Sequence, residues 1–332
     1  MSGIHRTKID WADSTWNPVS GCLHGCPYCY ARNIARRFQP KLSEWPENGT
    51  IYATAHDPRC FVATKPTVLR DADGNYLRST PYPKGFAPTM HGYKLQYLKT
   101  AKEPRRIFVG SMTDLFGDWV PDEWLAAVFR ECHEAPQHVY MFLTKNPKRY
   151  TELAEKHLLP EGDNYWWGTS APTPETEFWY SQKHNTFVSI EPILAPFETA
   201  GAEALANTNW VIAGAMTGAG ARKYRPERIW VENIRAACES AGVPLFMKDS
   251  LTDIWGKPLI REHPEKMMAH INKVKVTDWA RLEAHKVRVE SVRDKKNCRQ
   301  CGESVQGKPA TRISGRFYIC DKCYKGGTPN EH

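Results

Sequence analysis

Cys22, Cys26 and Cys29 stand within eight residues of the segment GCLHGCPYCY. Cys-x3-Cys-x2-Cys spacing offers three soft thiolates from one short loop, a donor set suited to a metal ion or an iron–sulfur cluster. A cubane cluster has four irons. Ligation of all four by cysteine closes it to chemistry, whereas three thiolates leave one iron open. His24 lies inside the same loop and supplies the competing possibility, a structural zinc site completed by an imidazole.

Four more cysteines fall into two pairs near the C-terminus, Cys298-x2-Cys301 and Cys320-x2-Cys323. They read as the two knuckles of a four-thiolate zinc ribbon, with an auxiliary iron–sulfur cluster as the alternative. Cys60, Cys132 and Cys238 stand alone and are expected to be buried thiols.

Those groups need a scaffold, and from Arg105 onward the chain has a regular rhythm. RRIFVGS, VYMFLT, YWWGTS, FVSIEPI, WVIAGA and VPLFMKD are short apolar runs, and DEWLAAVFRECHEA, KNPKRYTELAEKH and PERIWVENIRAACESAG have helical periodicity. Strands buried on both faces and separated by helices predict parallel βα units. With TWNPVSG and CFVAT added ahead, the fold class is α/β: a partial or closed parallel βα barrel of six to eight strands, with a small C-terminal zinc-ribbon module. The spacing also predicts a helix over YARNIARRF, directly after the cysteine loop. The segment from Gln39 to about Lys102 is rich in Pro, Gly and Asp-Gly turns and gives little pattern.

In such barrels functional groups sit at the C-terminal ends of strands. The polar residues there are Ser111 and Asp114, Thr144 and Lys145, Thr169 and Ser170, Glu191, and Lys248 and Asp249. Lys145 and Lys248 are candidate partners for a carboxylate or phosphate. The glycines Gly214, Gly218 and Gly220 form a turn that is also able to present N–H groups to an anion. The alternation ends near Arg261. The expected division is a barrel over 1–260, a charged linker over 261–294 and a ribbon over 295–332.

The whole chain carries a formal charge of +8, and from Arg261 onward sixteen Lys and Arg face nine Asp and Glu, a surplus of seven. A basic small module raises the expectation of a polyanion partner, nucleic acid above all, with Lys295, Lys296, Arg312 and Arg316 as candidate phosphate contacts. No apolar run approaches a membrane span, and the N-terminus MSGIHRTKIDW has no apolar signal core. A cytoplasmic protein without membrane partners is the expectation.

The loop Cys22-Leu-His-Gly-Cys26-Pro-Tyr28-Cys29, with an aromatic before the third cysteine and a helix after it, resembles the signature of the radical S-adenosylmethionine superfamily. GCLHGCPYCYAR also resembles the loop of spore photoproduct lyase-like members. More narrowly, TWNPVSGC, CYARNIARRF, SMTDLF, FLTKNPKR, SIEPI and AGAMTGAG together resemble an uncharacterised, phage-associated family of three-cysteine-motif proteins, over about Ile9 to Asp249. The resemblance implies a 4Fe–4S cluster on Cys22, Cys26 and Cys29, whose open iron chelates S-adenosylmethionine. It also implies one-electron reduction by a protein such as a flavodoxin or ferredoxin, and cleavage to a 5′-deoxyadenosyl radical. On that reading Tyr28, Ser111, Thr144, Glu191 and Lys248 are cofactor-binding candidates, with Glu191 accepting from the methionyl amine or the ribose hydroxyls. Glu191, Asp114 and Lys145 are the catalytic candidates. The substrate expectation is nucleic acid or something bound to it. The rivals are a nucleic-acid-binding adaptor with a structural or redox-sensing cluster, and a radical enzyme acting on a protein or small metabolite.

Overall fold

The computed structural model describes residues 4–46, 51–218, 220–274, 310–314 and 317–320. The chain divides into two compact units, Met1–Ile271 and Asn272–His332.

The first unit opens with strands β1 (Ile4–Arg6) and β2 (Ser14–Trp16), short β3 (Val19–Ser20) and helix α1 (Tyr30–Phe38). An insertion follows with β4 (Trp45–Pro46), β5 (Ile51–Ala53), β6 (Phe61–Ala63), β7 (Thr67–Arg70), β8 (Tyr76–Thr80) and β9 (Thr89–His91). The regular alternation then begins: β10 (Arg106–Val109), α2 (Asp122–His133), β11 (Val139–Thr144), α3 (Lys148–Glu155), β12 (Tyr165–Ser170) and β13 (Asn185–Ile190). It closes with α4 (Thr199–Leu205), β14 (Val211–Ala213), α5 (Arg228–Ala241) and β15 (Leu245–Met247).

Seven strands are parallel and sit in chain order, β2-β10-β11-β12-β13-β14-β15, with β1 added antiparallel at one edge. Because each strand lies beside the one before it and β15 does not pair back with β1 or β2, the sheet is a half-barrel. Winding in one direction keeps α2, α3 and α5 on one face, while the helical residues Met267 and Ile271 lie on the other. The two-residue period of the strands sorts their side chains accordingly. Ile107, Val109, Tyr140, Phe142 and Trp167 pack with Phe129 of α2 and Tyr150 of α3, while Val188, Val211 and Leu245 pack with Val231 and Ile234 of α5. The opposite face carries Phe108, Met141, Trp166, Phe187 and Phe246, covered by Trp11, Trp210, Met267 and Ile271. Gly168 stands mid-strand because the Phe187 ring lies across it, 2.2 Å from where a Cβ would be.

Two expectations change. CFVAT does form a strand, β6, but outside the barrel: it belongs to a small sheet of order β3-β9-β6-β5, beside a second small sheet β4-β7-β8. Beyond the boundary expected at 260, Arg261 bridges to Phe246, and Met267 and Ile271 join the core of the first unit. In the second unit β16 (Ala310–Ser314) and β17 (Phe317–Cys320) pair as an antiparallel ladder. Cys298, Cys301 and Cys323, and the side chain of Cys320, lie outside the described residues, as do Lys295, Lys296, Arg316 and the side chain of Arg312. Among the described residues no helix is long and apolar enough to cross a membrane.

Candidate functional site

The cysteine loop leaves the sheet immediately after β2 and β3, at the C-terminal ends of the parallel strands, and its entry is clamped from two sides. The Asn17 carboxamide receives the N–H of Met112 at 3.0 Å and donates to Ser111 Oγ at 3.1 Å. Gly21 donates its N–H to the Met112 carbonyl at 2.9 Å and accepts from Thr113 Oγ1 at 2.6 Å, and the Cys22 N–H reaches the Phe86 carbonyl at 3.1 Å. Gly21 holds φ at +90°, and a Cβ there would lie 2.2 Å from the Ala87 carbonyl oxygen, so no other residue fits. At the far end of the loop Cys29 caps α1, its Sγ accepting the Arg32 N–H at 3.4 Å. The positive end of the helix therefore faces this sulfur.

Asp114, which follows β10, is the organising group. It is 5% exposed and accepts four hydrogen bonds. Oδ2 takes His24 Nε2 at 2.8 Å and the Lys145 N–H at 2.8 Å; Oδ1 takes Thr144 Oγ1 at 2.7 Å and the Phe116 N–H at 3.0 Å. One buried carboxylate thus ties the middle of the cysteine loop to the ends of β10 and β11. The hydroxyls of Ser111 and Thr144 are also engaged within the protein, with Asn17 and with Asp114 and the Asn146 N–H. These three residues position the site.

Lys145 points the other way. Its Nζ donates to Ser170 Oγ at 2.9 Å and lies 5.7 Å above the Tyr28 ring of the cysteine loop. Beyond β13, Glu191 forms an ion pair with Lys248, both partly exposed. Tyr30, the first residue of α1, connects the two sides: its hydroxyl donates to the Ser111 carbonyl at 2.5 Å. Burial of that hydroxyl, then the negative charges of Glu191 and Cys29, push the phenol above its usual range. Glu191, which follows β13, and the cysteine loop, which follows β2 and β3, both leave the C-terminal edge of the parallel strands. Thr169 instead accepts the Trp179 N–H, and Asp249 pairs with Arg261. The N–H of Gly214 is committed to the Ile190 carbonyl, so that end of the glycine turn offers no free donor.

The donor set at the loop fits a soft cation or an iron–sulfur cluster. Burial, then the charges of Asp114, Cys26 and Cys29, push the Cys22 thiol up to about 12, so this sulfur ionises when a cation compensates it. Among the described residues no group of three or more His, Cys, Asp or Glu side chains already stands as a metal cage, so the fit rests on donor chemistry and position. Cys60, Cys132 and Cys238 are buried, as their isolation in the sequence implies.

Asn17, Tyr30 and the His24–Asp114 contact are absent from the sequence-based set. Asn17 lies in TWNPVSG and Tyr30 directly follows the third cysteine, but their partners are 94 and 81 residues away. Only the pairing of β2 with β10 brings them together.

Residues 6–276 match the family described as a protein of unknown function (DUF5131). The chain belongs to that family. The matched DUF5131 region takes in the half-barrel, the cysteine loop and the insertion, and stops short of the paired C-terminal cysteines. No match was found among curated proteins.

Proposed function

We propose that the chain is a cytoplasmic radical S-adenosylmethionine enzyme acting on a nucleic acid or a nucleic-acid-bound substrate. The observation that carries this reading is the position of Cys22, Cys26 and Cys29 on a loop at the C-terminal mouth of a parallel half-barrel. Cys22, Cys26 and Cys29 would hold a 4Fe–4S cluster, and this group would supply one-electron reductive cleavage of S-adenosylmethionine, with the electron drawn from a flavodoxin- or ferredoxin-like protein.

The chain's own residues orient and enclose. Asp114 fixes the loop through His24 and holds Thr144 and the Lys145 backbone. Glu191, held by Lys248, presents a carboxylate on the same mouth, suited to an ammonium or to ribose hydroxyls. Lys145, whose ammonium meets a serine hydroxyl and an aromatic face, is suited to a carboxylate or phosphate. Tyr28, within the loop, and Tyr30, directly after it, flank Cys29. In the second unit, Cys298, Cys301, Cys320 and Cys323 would hold a zinc ribbon that docks the substrate. Anaerobic reconstitution with iron, sulfide, reductant and S-adenosylmethionine tests the reading, since an enzyme of this class releases 5′-deoxyadenosine.

One observation favours a second reading. The imidazole of a metal-ligating histidine characteristically hydrogen-bonds a carboxylate through its other nitrogen, and His24 Nε2 does this with Asp114. A closed site of three thiolates and His24 would make the chain a nucleic-acid adaptor with a structural or redox-sensing centre. Such a protein binds metal and releases no 5′-deoxyadenosine.

A further inference from the structure

Helix α1 starts on the sulfur of Cys29 and carries a cationic solvent face away from it. Ala31 and Ala35 are its buried positions, and Asn33, Arg36 and Arg37, which the helical period places on the opposite side, are exposed. Arg36 lies seven residues beyond Cys29, about 10 Å along the helix axis. Over residues 20–46, which take in the cysteine loop, α1 and the turn after it, Arg32, Arg36, Arg37 and Lys41 face a single acid, Glu44. That acid is already taken, because Arg78 pairs with it at 2.6 Å. Arg32, Arg36 and Arg37 make no ion pair among the described residues, so their charge is uncompensated.

Directly after these cations the chain exposes apolar surface. Phe38 is 50% exposed, and Leu42 is fully exposed in a turn closed by the Glu44 N–H on the Lys41 carbonyl and the Lys41 N–H on the Glu44 carboxylate. The segment is held in place from below. The Phe38 carbonyl accepts from Arg78 at 2.9 Å and from Thr80 Oγ1 at 2.7 Å, and the Gln39 carbonyl accepts from Arg78 at 3.0 Å. A patch fixed in this way loses little backbone freedom when a partner lands on it.

Composition and charge together select the occupant. Exposed apolar side chains beside arginine are the make-up of a protein interface, whereas a phosphate backbone offers nothing to cover Leu42. A second copy of the chain would set the same uncompensated arginines against one another. The complement is therefore an acidic protein. The patch lies along the helix that leaves the cysteine loop, and Cys22, Cys26 and Cys29 are themselves only partly buried. A carrier landing here brings its redox centre close to that loop, and electron-transfer encounters need only a small interface.

We propose that Arg36, Arg37, Phe38 and Leu42 form the docking surface for an acidic electron-carrier protein that serves the cysteine loop. One electron passes per encounter: the carrier is oxidised, the cluster is reduced, and no atom is transferred. The proposal rests on the enzyme reading above, but docking itself needs no cluster, so the two are tested separately. The probe is a flavodoxin, and the full-length protein is compared with the Arg36→Glu, Arg37→Glu double variant and with Leu42→Asp. Affinity for oxidised flavodoxin is measured before and after reconstitution, at low and moderate salt. The rate of bleaching of the cluster absorbance is then measured with reduced flavodoxin and, separately, with dithionite. The double charge reversal should lower both the affinity and the flavodoxin-driven rate about tenfold or more and remove most of their salt dependence. Leu42→Asp should weaken both as well, while iron content and the dithionite-driven rate stay at wild-type values. Wild-type affinity in the double variant, salt-independent binding, or an equal loss of the dithionite-driven rate would overturn the docking surface. So would loss of single-stranded DNA binding in the double variant with flavodoxin binding retained, which would assign the patch to nucleic acid. Reconstituted wild-type protein that releases no 5′-deoxyadenosine with dithionite would sink the enzyme reading alone, and the affinity measurement would still decide the surface.

Discussion

Asp114 Oδ2 lies 2.8 Å from His24 Nε2, a contact across 90 residues that fixes the centre of the cysteine loop to the end of a barrel strand. The remaining acceptor capacity of the same carboxylate is filled by Lys145, Thr144 and Phe116. Replacing Asp114 with Ala should leave several donors unpaired in a buried place and cost about 2–4 kcal/mol. Urea denaturation of the metal-free chain measures the loss, and metal content after reconstitution should fall with it. Native stability and full metal loading in Asp114→Ala would show that the loop holds its place without this carboxylate.

Gly21 and Gly25 bracket the first half of the loop, and both have positive φ, but only Gly21 is crowded. Gly25→Ala meets nothing within 4 Å and should cost only the left-handed backbone penalty, about 1 kcal/mol. Gly21→Ala drives a methyl into the Ala87 carbonyl and should cost severalfold more, visible as a larger fall in thermal midpoint and in metal loading. Equal effects of the two substitutions would contradict the clamp between Met112, Thr113 and the insertion.

Much of this arrangement can be read from sequence, and the reason is locality. RIFV, VYMFLT and YWWGTS are strands because their apolar runs are buried on both faces, and the polar residue ending each run falls at the mouth because strand direction is shared. The insertion resisted reading because its strands are two to five residues long and pair out of order, β9 with both β3 and β6. Strands this short carry no period, so Phe61–Ala63 gives no sign of which sheet it joins. The same limit applies to roles. Asp114 and Thr144 read as free polar groups at strand ends, and only the fold shows them bonded to each other and to the cysteine loop.

Glu191 and Lys248 should matter for ligand recognition more than for metal binding, because they follow β13 and β15, three or more strands along the sheet from β10, whose end carries Asp114. Glu191→Gln keeps the shape and removes the charge. It should leave iron content unchanged and lower 5′-deoxyadenosine formation by about tenfold or more, the equivalent of one charge-assisted hydrogen bond. Loss of iron in Glu191→Gln would instead make it part of the metal-holding structure.

Stability should fall on mild acidification. Burial lowers His138 and His263 to about 4, in His138 against the opposing effect of the Leu98 backbone, and it also lowers His91 and His184. These imidazoles are neutral in the folded chain at pH values where the unfolded chain, near 6.5, takes up protons. Their contribution is therefore complete above about 6.5 and is lost as pH falls towards about 4. His138, fully buried, should account for roughly 3 kcal/mol of that loss over the whole interval, about 2 kcal/mol of it by pH 5.0. Urea unfolding at pH 7.5 and 5.0 measures it; equal or greater stability at pH 5.0 would contradict the assignment.

The central claim is that Cys22, Cys26 and Cys29 hold a cluster with one iron left for S-adenosylmethionine. The most direct measurement is 5′-deoxyadenosine released by anaerobically reconstituted, reduced protein given S-adenosylmethionine, with iron and zinc quantified in the same sample. The prediction is about four irons per chain at this loop, a product that requires reductant, and loss of both in each of Cys22→Ala, Cys26→Ala and Cys29→Ala. Stoichiometric zinc held by these cysteines in place of iron, or a loaded cluster that yields no 5′-deoxyadenosine, would contradict it.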